Sequence, residues 1–380
     1  MRISIPVSAF VAAIVGFGGT LAIIIAAAAA VGATQLQTAS WVTAICLAMA
    51  VESLWLSWRT KMPVITAWST PGAALIAASS GFTMGEAVGA FLVTGALLVA
   101  TGLLKPLTRL IAKIPASVAS GMLAGIVVTF AVNAVKTVPV DPWLILPLIA
   151  AFFVIRLFNP ALSVLVVLVG GGAAAFLTGR VGGLPTPEFS TLTLIAPQFT
   201  ASAVIGLALP LYLVTMASQN LSGLAVLRAS GYDPEPGPLI GVTGLFSVLT
   251  APFGASTTNL AAISAAICTG PDVDPDPAER WKTGPFYALA YLVFAAFGAS
   301  LVAVFAVLPQ SLIVLVAGLA LLGSLANALA IALKDEAGRM AATVTFAVTA
   351  SGLALFNVGS AFWGLVAGLI VIGLDRIKKK

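Results

Sequence analysis

The sequence contains no histidine and little charge, and these two absences exclude several classes of protein. Only 8% of its 380 residues are charged, whereas soluble globular domains contain about 25% charged residues. A soluble globular fold is therefore excluded. Without histidine the chain lacks the commonest metal ligand and the side chain that most often carries protons near neutral pH. We therefore expect no metal site, no cofactor and no metalloenzyme.

The cysteines and the one acidic cluster indicate no redox or metal chemistry. Cys46 and Cys268 both lie in apolar runs, so no disulfide framework is expected. The carboxylates at 272–279 are interspersed with prolines and are followed by two basic residues. This pattern is typical of a solvated loop rather than a metal site, and it comprises Asp272, Asp274, Asp276, Glu279, Arg280 and Lys282.

Apolar residues dominate the chain, with 60% hydrophobic residues and a mean hydropathy of +1.11. Apolar runs that approach the ~20 residues needed to cross a bilayer recur along the whole length. The first, at about 7–33, is too long for a signal-peptide core and indicates a retained helix. The sequence therefore predicts an all-α polytopic membrane protein. Hydropathy and breakers define fourteen spans at about 8–33, 38–57, 63–81, 84–104, 115–135, 142–157, 160–178, 201–224, 237–250, 251–268, 284–307, 310–332, 340–356 and 358–375.

The basic residues give an independent test of this span count. With fourteen spans and a cytoplasmic N-terminus, all of the 18 Lys and Arg residues except Lys136 and Arg180 fall in cytoplasmic connections or tails. This is the bias of the positive-inside rule, and a missed or invented span would destroy it. We therefore expect a multi-pass protein of the inner membrane with both termini in the cytoplasm.

The two halves of the chain carry similar short segments at matching places. Segments 67–78 and 255–266 align without gaps, although most of their identities are alanines, so chance similarity is the alternative. Each contains an Ala-rich run of about 12 residues, enough at ~1.5 Å per residue for only half a bilayer core. Because seven spans is an odd number, two such halves enter the membrane from opposite sides. We predict an inverted repeat, with domains at 1–178 and 201–380 joined by a connector at 179–200.

Three stretches of the chain resemble the BenE family of benzoate:proton symporters. They are PVITAWSTPGAALI at 63–76, ASQNLSGLAVLRASGY at 217–232 and APFGASTTNLAAISAAICTG at 251–270. The resemblance extends over essentially the whole chain, and the family is related to nucleobase transporters of the uracil-symporter fold. It implies seven-plus-seven spans in core and gate domains, with spans three and ten each a short strand followed by a half-helix. It also implies an aromatic carboxylate substrate that enters with a proton, in transporters that often form homodimers.

The chain departs from its nucleobase-transporting relatives at the positions where they carry acidic residues. Spans eight and ten offer neutral polar residues there: Ser218, Gln219, Asn220, Thr257, Thr258 and Asn259. The departure argues against nucleobase transport and leaves the proton-coupling group unassigned.

A carboxylate substrate needs positive potential, and no basic residue lies near the centre of a predicted span. Half-helices that start near Thr70 and Thr258 would supply free N–H groups and about half a positive charge each. The hydroxyls of Ser69, Thr70, Thr257 and Thr258 would bind the carboxylate, or would only cap the helices.

Further candidates for substrate contact are amides and aromatic rings. Burial of the Gln219, Asn220 and Asn259 amides without hydrogen-bond partners would cost several kcal/mol. We therefore expect these side chains to contact substrate or to bond neighbouring helices. Trp68 and Phe253 would sandwich the ring, or Trp68 would pack between domains. Tyr212 lies one or two helical turns before Gln219.

Glu52 is the one acidic residue well inside a predicted span, which makes it the candidate for proton coupling. The alternative is that Glu52 reaches the cytoplasmic surface and pairs with Arg59 or Lys61. Glu86 opens span four and fits a helix N-terminal charge.

These residues favour a secondary transporter that imports benzoate or a similar aromatic acid with protons. A transporter of another small anion on the same fold is one alternative, and an anion channel is another. An intramembrane enzyme is disfavoured because the sequence has no histidine, acidic pair or activated serine constellation.

Overall fold

The structure is a computed structural model that describes residues 2–79, 81–104, 115–181, 183–356 and 358–378. The described residues of the first half form seven helices and one short strand. Helix α1 begins without a side-chain cap, whereas α2 and α4 begin in capping boxes at Thr34 and Thr83. The elements are α1 (Ser4–Ala30), α2 (Gln35–Thr60), β1 (Thr66–Trp68), α3 (Thr70–Ala78), α4 (Met84–Leu103), α5 (Ala116–Lys136), α6 (Pro142–Phe158) and α7 (Pro160–Leu177).

The second half begins with a long helix, α8 (Ala201–Ala229), which contains two π-helical segments, Val204–Ala208 and Thr215–Asn220. Helices α11 and α12 follow one another with a bend of 62°. The remaining elements are α9 (Pro236–Thr250), β2 (Thr258–Leu260), α10 (Ile263–Thr269), α11 (Thr283–Ala296), α12 (Gly298–Val307), α13 (Gln310–Lys334), α14 (Arg339–Ala350) and α15 (Ser360–Lys378).

Every predicted span overlaps a helix or a strand–helix pair of the structure. By length and composition, seven of the described helices can cross a membrane, and the bent α11–α12 pair makes an eighth. Crossing by the shorter helices, and hence the count of fourteen, stays a prediction. The basic residues Lys105, Arg109, Lys113, Lys379 and Lys380 lie outside the described residues.

The helices pack in two groups. In one group α2 packs on α11, α4 on α9, and α1 on α3, α10 and α11. In the other, α5 packs on α13 and α14, α14 on α15, and α6 on α7. The α4–α9 contact is backbone to backbone, because a Cβ added at Gly102 would lie 2.5 Å from Cα of Gly241. Small residues allow this close approach, which is a common way for helices to associate in membranes.

Strands β1 and β2 join the two halves of the chain in an antiparallel pair. Thr66 lies opposite Leu260, Ala67 opposite Asn259, and Trp68 opposite Thr258. Each strand leads into a short helix, α3 or α10. Both halves therefore contain a short strand followed by a short helix.

Candidate functional site

A cavity of about 640 Å³ lies between the two groups of helices, beside the start of α3 and α10. Its volume is in the range of small-molecule sites, about 300–1,000 Å³. The lining residues that matter below come from six segments of the chain, and they are Gly16, Gly19, Thr20, Trp68, Thr70, Phe152, Arg156, Asn159, Ser218, Gln219, Ser222, Ser264 and Tyr291.

Of the two helix N-termini at the cavity, that of α3 has a side-chain cap and that of α10 has none. Ser69 is the N-cap of α3, and the Ser69 hydroxyl accepts a hydrogen bond from the backbone N–H of Gly72 at 3.1 Å. Thr70 lines the cavity, and its hydroxyl lies 3.3 Å from that of Thr20 on α1. The two neighbouring hydroxyls therefore differ in position: Ser69 is buried as the cap, and Thr70 faces the cavity.

The expectation that the second half-helix starts near Thr258 is wrong. Thr258 lies in β2, and α10 starts at Ile263 after Ala262, which offers no capping side chain. The ungapped alignment of 67–78 with 255–266 is therefore out of register with the structure. Its identities are mostly alanines, which fit either register, whereas the hydrogen bonds between β1 and β2 fix the pairing at Ala67 and Asn259.

The adjacent amides at the end of the second π-helical segment of α8 have different environments. Gln219 lines the cavity together with Ser218 and Ser222. Asn220 is fully buried, and its Oδ1 accepts a hydrogen bond from the backbone N–H of Leu260 at 3.0 Å. Asn220 thus holds strand β2 against α8, which matches the alternative of bonding between elements. π-Helical turns are frequent at functional sites.

Thr257 and Asn259 lie within the strand region, outside the cavity wall. The Thr257 hydroxyl lies 3.1 Å from that of Thr215 on α8. The Asn259 amide donates to the backbone oxygen of Leu260 at 2.9 Å, and its Oδ1 is buried with no partner among the described residues. Both side chains are fully buried, and neither is among the residues that line the cavity.

Of the three predicted aromatic contacts, the cavity includes Trp68. Its ring packs on that of Phe17, with 5.4 Å between centroids. The Tyr212 hydroxyl instead bonds that of Thr101 on α4, in a second cluster of apolar residues. Phe253 follows α9, and its carbonyl accepts a hydrogen bond from the Ser40 hydroxyl. A substrate in this cavity would meet Trp68 but neither Tyr212 nor Phe253.

Several cavity residues were missed by the sequence reasoning. Tyr287 and Tyr291 lie one turn apart on α11 with ring centroids at 4.7 Å, and Tyr291 lines the cavity. Their spacing of four residues was the available signal. A Cβ added at Gly16 would lie 2.9 Å from the Ser264 hydroxyl and 3.2 Å from the Tyr291 hydroxyl, so glycine keeps this corner open.

Glu52 is fully buried and bonds strand β2 rather than a basic residue. The Thr258 hydroxyl donates to Oε1 of Glu52 at 2.6 Å, and Oε2 is buried with no partner in the described part of the chain. Arg59 is exposed, and the ion pairs of the described residues are Arg180–Asp141 and Lys282–Glu279. The alternative pairing of Glu52 with Arg59 or Lys61 is therefore wrong.

The remaining acidic candidates have structural partners. Glu86 completes the capping box of α4 by accepting from the backbone N–H of Thr83 at 2.9 Å, as a helix N-terminal charge would. In the loop after α10, the buried Arg280 donates to the backbone oxygens of Asp274 and Thr269. These bonds order the loop and place a positive charge at the C-terminus of α10.

Comparison with known proteins assigns the chain to a family. The family model of BenE, described as benzoate membrane transport protein, matches residues 1–374. The inner membrane protein YdcO of Escherichia coli (strain K12) is 41% identical over 94% of this chain and 92% of its own. A benzoate membrane transport protein of Acinetobacter baylyi is 33% identical over 97% of this chain and 94% of its own.

Solved structures of anion transporters share the fold. The transmembrane domain of the cyanobacterial bicarbonate transporter BicA has a TM-score of 0.62 at 15% identity and covers 99% of this chain and 98% of its own. Murine Slc26a9 in the inward-facing state has a TM-score of 0.66 at 12% identity, covering 100% of this chain and 69% of its own. This polytopic membrane protein is thus a transporter and not an enzyme, and it belongs to the BenE family of benzoate membrane transport proteins.

Proposed function

We propose that the protein imports benzoate or a similar aromatic carboxylate with protons across the inner membrane. One observation carries the proposal: the cavity joins a buried tryptophan, a capped helix N-terminus and neutral amide and hydroxyl groups. An aromatic carboxylate has an apolar ring at one end and a negative charge at the other. The tryptophan matches the ring, and the helix N-terminus and the polar groups match the carboxylate.

We assign the carboxylate end of the substrate to the start of α3. The N-terminus of this nine-residue helix carries positive potential, and Thr70 and Gln219 add donors on two sides of the cavity. The hydroxyl of Ser69 is already used as the cap, so its contribution is to hold α3 in place.

The ring is placed against Trp68 and Tyr291, which both line the cavity. Trp68 is held by Phe17, which packs in turn on Phe294 with centroids at 4.4 Å. Aromatic pairs add about 0.5–1.5 kcal/mol beyond the area they bury. A flat ring would therefore bind more tightly here than an aliphatic chain of equal area.

We assign proton coupling to Glu52. This residue lies outside the cavity wall, but it is hydrogen-bonded to Thr258 of strand β2. A buried carboxylate with no cation beside it is costly, and a proton removes that cost. Because Thr258 is paired with Trp68 across the two strands, a change of charge at Glu52 reaches the wall of the cavity through one residue pair.

Energetics also require a coupled proton. An inside-negative potential opposes the entry of one negative charge by about 2.3 kcal/mol per 100 mV. One proton per benzoate makes the process electroneutral, so a pH gradient drives accumulation, and further protons would add the membrane potential as a driving force. Radiolabelled benzoate uptake into proteoliposomes, with imposed pH and voltage gradients, tests the proposal. Uphill uptake driven by a pH gradient is expected, and uptake that never exceeds equilibrium would identify a channel instead.

A second candidate keeps the mechanism and changes the substrate to another small anion. It is favoured by the fold shared with bicarbonate and other anion transporters, and by the helix end, which needs no ring on its ligand. Tryptophan quenching or thermal shift across a panel of acids separates the two candidates, because affinity should depend on the aromatic ring only for the first candidate.

The same purified protein tests the proposed homodimer, through the mass of the protein in detergent.

A further inference from the structure

We propose that Arg156 is a second anion site, which captures the carboxylate of an aromatic acid at the mouth of the cavity. The inference rests on the proposed function and adds to it a specificity-determining residue on α6. It adds a charged contact at the mouth of the cavity to the neutral site beside α3.

Arg156 is the one charged side chain among the described residues that line the cavity. It lies in the last turn of α6, and its side chain is exposed. Asn159 and Pro160, which join α6 to α7, are also exposed and line the same cavity. These residues mark where the cavity opens, and the opening carries positive charge.

Among the described residues, no carboxylate forms an ion pair with the guanidinium of Arg156. The sequence contains no acidic residue between Asp141 and Glu188, and the two ion pairs of the described residues do not include Arg156. An arginine that faces a cavity without an internal counter-ion is available to a bound anion. Its planar fork matches a carboxylate in two parallel hydrogen bonds.

A phenylalanine lies one turn deeper on the same helix. Phe152 precedes Arg156 by four residues, so the two side chains share one face of α6, and both line the cavity. Phe152 is 3% exposed, which places an apolar ring on the inner side of the charge. The pair therefore offers a contact for the aromatic ring on the inner side and a contact for the carboxylate at the opening.

This arrangement acts from one face of the membrane. The charge lies at the opening, so it raises the local concentration of anions that approach from that face and leaves those from the other face unaffected. By the distribution of basic residues, this face is the cytoplasmic one. Such steering is screened by salt, because the Debye length falls from about 10 Å at 0.1 M to about 3 Å at 1 M.

The chain offers a direct test by chemical labelling. Its two cysteines, Cys46 and Cys268, are fully buried, so a cysteine introduced by Arg156→Cys is the accessible thiol. Methanethiosulfonate reagents then attach a cationic, neutral or anionic group to that position. Arg228→Cys is the matched control, because Arg228 is exposed in the last turn of α8 and does not line the cavity.

The readout is the KM for benzoate exchange, measured separately in right-side-out and inverted vesicles. We expect the anionic adduct at 156 to raise KM about three- to tenfold from the α6–α7 face and to leave the other face unchanged. The cationic adduct should restore the wild-type KM, and 1 M salt should remove the difference. If Arg156→Cys does not fold, Arg156→Gln and Arg156→Lys give the same comparison without labelling.

Two results would overturn the inference. Equal KM values for the three adducts at position 156 would show that the charge has no role, provided that wild-type protein exchanges benzoate. An equal effect at position 228 would assign any change to the general surface charge. Absence of benzoate exchange by the wild-type protein would overturn the proposed function and this inference together.

Discussion

The hydroxyl of Thr258 lies 2.6 Å from Oε1 of Glu52, although the two residues are 206 positions apart in the chain. The same Thr258 is bonded through its backbone N–H to the Ser247 hydroxyl of α9 and is paired with Trp68 across the two strands. The candidate proton carrier is therefore one hydrogen bond away from the strand pair that supports the candidate substrate site.

Removing this hydrogen bond should uncouple the transporter. Thr258→Val leaves Oε1 of Glu52 buried without its donor, which costs about 1–3 kcal/mol, so we expect a lower melting temperature and loss of pH-driven benzoate accumulation. Thr258→Ser keeps the hydroxyl and is the control. Full pH-driven uptake by Thr258→Val would show that the bond is not part of the coupling.

Neutralising Glu52 should separate accumulation from exchange. Glu52→Gln has nearly the same shape but carries no titratable proton, so pH-driven uptake should be lost while benzoate exchange across the membrane continues. Glu86→Gln is the control, since Glu86 is a helix-capping carboxylate that does not line the cavity. Proton-driven uptake at the wild-type level in Glu52→Gln would clear this residue.

The adjacent amides of α8 should respond in opposite ways to the same change. Gln219→Leu should weaken benzoate binding about tenfold with little effect on thermal stability, because it removes a donor from the cavity wall. Asn220→Leu should lower the melting temperature, because it removes the partner of the Leu260 N–H. Binding by tryptophan quenching and melting by scanning fluorimetry check both. Equal behaviour of the two variants would contradict the assignment.

Two glycines of α1 provide a matched test of the cavity's shape. Gly16→Ala puts a methyl group within 2.9 Å of the Ser264 hydroxyl, whereas Gly19→Ala meets no atom within 4 Å, and both positions line the cavity. We expect Gly16→Ala to reduce benzoate affinity several-fold, since overpacking costs about 1–3 kcal/mol. Gly19→Ala should transport normally. The reverse order of affinities would place the substrate elsewhere.

Membrane orientation is tested by labelling of introduced cysteines in intact cells. The charge distribution predicts that Arg2→Cys is protected from a membrane-impermeant reagent, and that Gly183→Cys in the connector is labelled. Labelling of Arg2→Cys from outside would refute cytoplasmic termini. It would also reverse the face assigned to Arg156.

Local patterns in the sequence were sufficient for the helices. Apolar runs separated by Gly, Pro and charged residues predicted elements that overlap every observed helix, because burial in lipid requires such runs whatever the tertiary arrangement. The break before α3 was also visible, since Ser69, Thr70 and Pro71 form an N-terminal capping pattern. Family membership followed from three motifs and is confirmed over residues 1–374.

Only the tertiary structure decided which polar residues face the cavity. The sequence alone gives the adjacent amides Gln219 and Asn220 the same role, whereas the structure places Gln219 at the cavity and bonds Asn220 to strand β2. The start of α10 depended on the pairing of β1 with β2. The similarity between the two Ala-rich segments of the sequence does not contain that information. Glu52 bonds Thr258, and Arg156 faces a cavity shared with α1 and α8, because helices distant in the chain pack side by side. Hydropathy is a property of each segment alone, whereas a binding site depends on which segments become neighbours.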